Sequence, residues 1–139
     1  MLSNMEFVPF EIAQKLKEKG FTECCLGYYT NDNNLYFNYT HKAGSKYTDC
    51  YLSHNLMPRD SVSGKFFDAP TISQVLKWLR NEKKIYCLPH FEQGVDMWFF
   101  YIAKPQMGCE FPEYMSESIY NTYEDAALAG IKHTLDNLI

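Results

Sequence analysis

Apolar residues recur along the chain with two different periods, and the changes between them mark out its elements. Val8, Ile12 and Leu16 are spaced at four-residue intervals, Pro9 suits a first helical turn and Gly20 can supply a left-handed stop, so a helix is expected from Pro9 to Lys19. Two aromatic runs, Cys24 to Thr30 and Leu35 to Thr40, then flank Asn31-Asp32-Asn33-Asn34. Asn and Asp tolerate turn geometry and interrupt strands, which makes this pair of runs a β-hairpin.

The pattern weakens from His41 to Ala69. Tyr47 to Ser53 suggests a third strand, and the turn-rich stretch Pro58 to Gly64 reads as part of an ordered surface loop. Periodicity returns at Ile72, Val75, Leu76 and Leu79, behind Thr71 and Gln74 at capping-box spacing, and predicts a helix reaching about Lys83. Ile85 to Phe91 and Val95 to Ala103 form a second predicted hairpin around Glu92-Gln93-Gly94, ended by Pro105. Thr122 can cap a last helix with Asp125 three residues on, and Tyr123, Ala127, Ile131, Leu135 and Leu138 give that helix an apolar face.

The resulting order is α-β-β-(β)-α-β-β-α. It predicts an α+β fold in a single domain over 1–139, with helices packed on a mainly antiparallel sheet that contains both hairpins. Ile12-Ala13-Gln14-Lys15-Leu16-Lys17 matches Ile72-Ser73-Gln74-Val75-Leu76-Lys77 at four positions, 60 residues apart, and each copy precedes a hairpin. That echo suggests two αββ modules, 7–40 and 70–104, followed by a C-terminal helix over 123–138.

Composition narrows the function classes. The chain has 139 residues, of which 17% are aromatic, which excludes a disordered or low-complexity chain and makes aromatics the main packing material. A net charge of −4, without any block of like charge longer than Lys83-Lys84, argues against a dedicated nucleic-acid binder. The longest apolar run, Met97 to Ala103, is too short to span a bilayer, and no basic segment followed by an apolar stretch marks a signal peptide. Five cysteines without a Cys-x-x-Cys pair fit a reducing cytoplasm, where they act mostly as small buried apolar residues.

Phe7-Val8-Pro9, Glu11-Ile12-Ala13 and Leu16-Lys17-Glu18-Lys19-Gly20-Phe21 are joined by Ala69-Pro70-Thr71, Gln74-Val75-Leu76-Lys77-Trp78-Leu79-Arg80, Tyr123-Glu124-Asp125-Ala126 and Ala129-Gly130-Ile131 in one further observation. Through these segments the chain resembles small uncharacterised proteins common in Bacteroidetes genomes, prophages and phages, over about Phe7 to Leu138. The matches are helix and cap residues rather than chemical groups. The resemblance implies a bacterial cytoplasmic or phage setting and carries over no catalytic or binding residue.

Candidate chemistry is sparse. Cys50, His54, Cys87 and His90 offer a two-thiol, two-imidazole zinc set, but residues three apart in a strand point to opposite faces, so Cys87 and His90 should diverge. No local signature surrounds any Cys/His pair that would serve a cysteine hydrolase. Glu110, Glu113 and Glu117 lie in a loop where solvated charges explain them as well as a paired acid and base. Phosphate-cradling glycine motifs are missing from the sequence, and neither metal nor cofactor is expected.

The second hairpin is the most informative region. Val95, Met97, Phe99 and Tyr101 occupy one phase, and Trp98, Phe100 and Ile102 the other, so both faces are apolar. Such a strand is either covered twice, by the last helix or a long loop, or displays an aromatic patch. The expected binding surface contains Trp98 and Phe100, with Tyr36 and Tyr86. The leading expectation is therefore a non-catalytic binding or accessory protein that uses an aromatic sheet face for a protein partner or for self-association. The alternative is a small enzyme with Cys/His or Glu chemistry beside 41–69 and 104–121. A third option, nucleic-acid binding, follows from an αβββα order over Pro9 to Lys83 that resembles double-stranded-RNA-binding domains. The net charge and the absence of basic residues in Asp68-Ala69-Pro70-Thr71 disfavour it.

Overall fold

A computed structural model describes residues 6–37, 55, 66–104 and 114–139. The described residues form an α+β structure of three α-helices and two three-stranded antiparallel sheets, and the chain divides into two compact units, Met1–Thr71 and Ile72–Ile139. The hairpins were expected in one sheet; they lie in two.

In the first unit, α1 (Phe10–Glu18) starts after Pro9, which occupies the cap position, and stops where Gly20 adopts φ 87°. Its buried residues, Ile12, Ala13 and Leu16, share one face, and the helix packs on β3. The sheet runs in the order β2-β1-β3, with β1 at Gly27–Tyr29, β2 at Leu35–Phe37 and β3 at Phe67–Ala69. In the turn between β1 and β2, Asp32 accepts from the Thr30 hydroxyl and from the Asn34 amide, and Asn33 takes φ 66°. These bonds to its charged form, from Thr30 first and Asn34 next, hold the Asp32 carboxyl below its usual range.

The third strand lies in a segment read from sequence as irregular. All three residues of β3 are buried, including Asp68. Asp68 is satisfied by Asn55: the Asn55 backbone N–H donates to Asp68 Oδ2 at 3.0 Å, and the Asp68 N–H donates to Asn55 Oδ1 at 2.9 Å. Asn55 Nδ2 also donates to the Phe21 carbonyl. The pairing gives the outer side of β3 a partner and makes the burial of the polar Asp68 side chain tolerable. The expected strand Tyr47 to Ser53 lies outside the described residues.

The second unit opens with α2 (Ile72–Trp78), which buries Ile72, Val75, Leu76 and Trp78. The helix was expected to continue unbroken to Lys83. Instead Leu79–Lys83 forms a π turn, closed by Lys84 at φ 57°, and the Leu79 carbonyl takes the N–H groups of both Lys84 and Ile85. Next come β4 (Tyr86–Glu92), β5 (Met97–Ala103), β6 (Tyr114–Met115) and α3 (Tyr123–Asn137), with sheet order β4-β5-β6. Val95, read as a strand residue, sits in the turn. Thr122 caps α3 as expected, its hydroxyl accepting the Asp125 N–H at 3.1 Å.

α3 packs on β4 and β5, and its small residues set how closely it approaches. A Cβ added at Gly130 would lie 2.3 Å from Cys87 Sγ and 3.1 Å from Phe100 Cδ2. Ala126 and Ala127 are fully buried one turn earlier, and Thr134 returns its hydroxyl to the Gly130 carbonyl at 2.8 Å. Glycine inside a helix costs about 1 kcal/mol relative to alanine. Here it admits the Phe100 ring, whose burial is worth about 1.5–3 kcal/mol.

Candidate binding surface

Cross-strand partners in an antiparallel sheet point to the same face, so the register sorts the aromatic side chains of the second hairpin. Cys87 opposite Ile102, Pro89 opposite Phe100 and Phe91 opposite Trp98 share the face that α3 covers. Tyr86, Leu88, His90 and Glu92, with their partners Ala103, Tyr101, Phe99 and Met97, make up the other face.

The four residues expected to form one surface therefore do not converge. Phe100 is 3% exposed beneath Gly130 of α3, which corrects its assignment to an open patch: the last helix is what removes it from water. Tyr36 is exposed on β2 of the first unit and stacks on Tyr28 at 5.7 Å. Tyr86 is partly exposed on the sheet face opposite to that of Trp98. Trp98 lies in an exposed aromatic cluster of its own, with Phe91 and Tyr123.

That cluster forms where the α3-covered face runs out. α3 begins at Tyr123, whose ring meets Trp98, and reaches Phe100 at Gly130, two turns further on. The Trp98 ring lies 5.3 Å from that of Phe91 and 5.4 Å, edge-on, from that of Tyr123, both within the range of favourable ring contacts. Phe91 is 39% exposed and Tyr123 37%. Trp98 itself is half-buried, and its backbone is fixed by reciprocal bonds with Tyr120, N–H to carbonyl at 2.8 and 2.7 Å. Ile119, next to Tyr120, and Val95, in the hairpin turn, are 56% and 57% exposed. A half-buried tryptophan, its backbone held by Tyr120, thus touches two exposed rings, with exposed Val95 close to it in sequence and exposed Ile119 next to its bonded partner. Phe91 and Tyr123 escaped the sequence reading because only the strand register and the start of α3 bring them to Trp98.

On the opposite face, Met97, Phe99 and Tyr101 are partly exposed, and His90 contacts the Phe99 ring at 5.0 Å. His90 and Cys87 point to opposite faces, so they do not converge on one ion; Cys50 and His54 lie outside the described residues. Burial pushes the Cys87 thiol up to about 12, which keeps it protonated and non-nucleophilic at neutral pH. Near it, His133 stacks on Tyr114 at 3.8 Å and lies 3.3 Å from Asn137 Nδ2, at the surface. Glu117 is exposed, while Glu110 and Glu113 lie outside the described residues, as do most of 41–69 and half of 104–121. Among the described residues, no three His, Cys, Asp or Glu side chains are grouped to hold a metal ion, and no helix is long and apolar enough to cross a membrane.

No protein-family model, curated protein or solved structure matches the chain.

Proposed function

We propose that the chain is a non-catalytic binding or accessory protein whose partner, another protein, docks on the end of the second hairpin around Trp98. The observation that carries this reading is the contact of half-buried Trp98 with two exposed rings, Phe91 and Tyr123; exposed Ile119 adjoins Tyr120, which is bonded to Trp98, and exposed Val95 lies in the hairpin turn. Binding energy concentrates on aromatic anchors that a rigid support presents to solvent. The bonds between Trp98 and Tyr120 supply that support, and the protonated state of Cys87 weighs against a thiol enzyme in the same sheet.

A photo-crosslinking residue at Ile119 in the full chain, expressed in its own cells, tests the surface directly. A discrete protein adduct is expected at 119, with none from the same residue at exposed Glu82 in the π turn. Phe91→Ala should weaken the association by about 2 kcal/mol. Because Phe91 is exposed, thermal unfolding should move little. The absence of an adduct at 119, or identical adducts from both positions, would overturn the docking surface.

A further inference from the structure

Charge is distributed unevenly along the second hairpin. At the Trp98 end, residues 91–98 and 116–126 carry Glu92, Asp96, Glu117, Glu124 and Asp125, and neither Lys nor Arg. At the other end, Lys84 precedes β4 and Lys104 follows β5, and the register pairs Tyr86 with Ala103 between them. Glu92, Asp96, Glu117 and Asp125 are exposed. The start of α3 contributes partial positive charge here, but Glu124 and Asp125 in its first turn offset it.

We propose that the segment docking at Trp98 is cationic, an Arg- or Lys-bearing stretch of another protein. This rests on the reading of the Trp98 cluster as a binding surface and names the chemistry of its partner. A guanidinium or ammonium group over an indole face gains cation–π attraction, strongest for tryptophan. Guanidinium also stacks on aromatic planes, which favours Arg. The acidic groups at this end of the hairpin, of which Glu92 lies on the opposite sheet face, raise the local concentration of a cationic segment and repel an acidic one. An uncharged segment satisfies the apolar rings but draws nothing from the acidic groups.

The full chain, labelled with ¹⁵N at its two tryptophans, is titrated with octapeptides of arginine, glutamate or serine and followed by NMR. The arginine peptide should shift the Trp98 indole resonance saturably, leave that of buried Trp78 in place and bind more weakly as salt rises. Neutralising Asp96→Asn, Glu117→Gln and Asp125→Asn together should weaken it about 10-fold, as three exposed ion pairs of ordinary strength predict. Neutralising Glu82 in the π turn and Asp136 in the last turn of α3, exposed acids of the same unit away from Trp98, should not. The inference is overturned by an unmoved Trp98 resonance, by serine binding as well as arginine, or by equal loss from the remote set. A cellular adduct at 119 together with any of these results removes the charge selection alone, whereas failure to form that adduct removes the docking surface itself.

Discussion

In both units a helix carrying Ile-x-Gln-x-Leu-Lys precedes an antiparallel hairpin, yet the third strand adds beside the first hairpin strand in one unit and beside the second in the other. Pro89 accounts for the choice in the second unit. The Phe100 N–H and carbonyl bond to Ser116, toward β6, so the backbone nitrogen of Pro89, its partner in register, points away from β5 to the outer edge of β4. A strand added there would meet a position without an N–H. In the first unit β1 has no proline, and β3 pairs along it. The helices differ in packing as well: α1 lies on β3, whereas α2 packs on α3. A shared helix motif therefore determines which face of the helix is buried, while edge chemistry decides how the sheet is completed.

The same comparison predicts where substitution costs most. Phe100→Ala should destabilise the protein by about 3–5 kcal/mol in urea unfolding, because α3 closes over the cavity it leaves. Tyr36→Ala, an aromatic change on the open strand of the first unit, should cost about 0.5 kcal/mol. Similar losses for both would mean that the two sheets are covered alike.

Gly130→Ala should cost about 1–3 kcal/mol despite the better helix propensity of alanine, since its Cβ meets Cys87 Sγ. Cys87→Ala in the same chain should recover much of that loss, because removing the sulfur makes room for the methyl group, and a double-mutant cycle would measure the coupling. Additive effects would show that α3 shifts rather than clashes.

Cys87 should also leave a signature in alkali. Its folded pKa is raised from 9.0 to about 12 by burial, so its contribution is fully present below about pH 9. Between those values the unfolded thiol loses its proton and the folded one does not. Stability should then fall by about 1 kcal/mol per pH unit. The Cys87→Ala variant should lose that part of the slope, and an unchanged slope would mean that the thiol is not buried in solution.

How much of this was legible depended on repetition. Ile12 and Leu16, Ile72, Val75, Leu76 and Leu79, and Ala127, Ile131 and Leu135 repeat a helical spacing several times over and are buried where the pattern placed them, whereas Tyr123 and Leu138 at the two ends of the last stripe are exposed and half-buried, respectively. β3 has three residues centred on a charged one, and β6 has two, too few to show alternation. The buried state of Asp68 depends on Asn55, 13 residues earlier, which no local pattern reveals. For β5 the sequence offered two apolar phases and no means of choosing between them within the strand. The deciding signal lay in α3, where Ala126, Ala127 and Gly130 form a small-residue face able to accept Phe100. Trp98 was visible as an aromatic, but its neighbours depend on register.

The smallest expected change in folding energy is also the most direct test of why the units differ. Pro89→Val removes a residue that keeps the outer edge of β4 from pairing and replaces it with a good strand former. Its side chain still faces α3 opposite Phe100, and no ladder bond to β5 is gained or lost, so urea unfolding should move by less than about 1 kcal/mol. What should change is association: with an N–H restored, the edge can accept another strand, and sedimentation should show concentration-dependent oligomers absent from the parent chain. These oligomers should persist when Phe91→Ala is added, because the β4 edge and the Trp98 cluster are separate surfaces. A Pro89→Val chain that stays monomeric at the same concentrations would show that something other than the missing N–H keeps the third strand off β4.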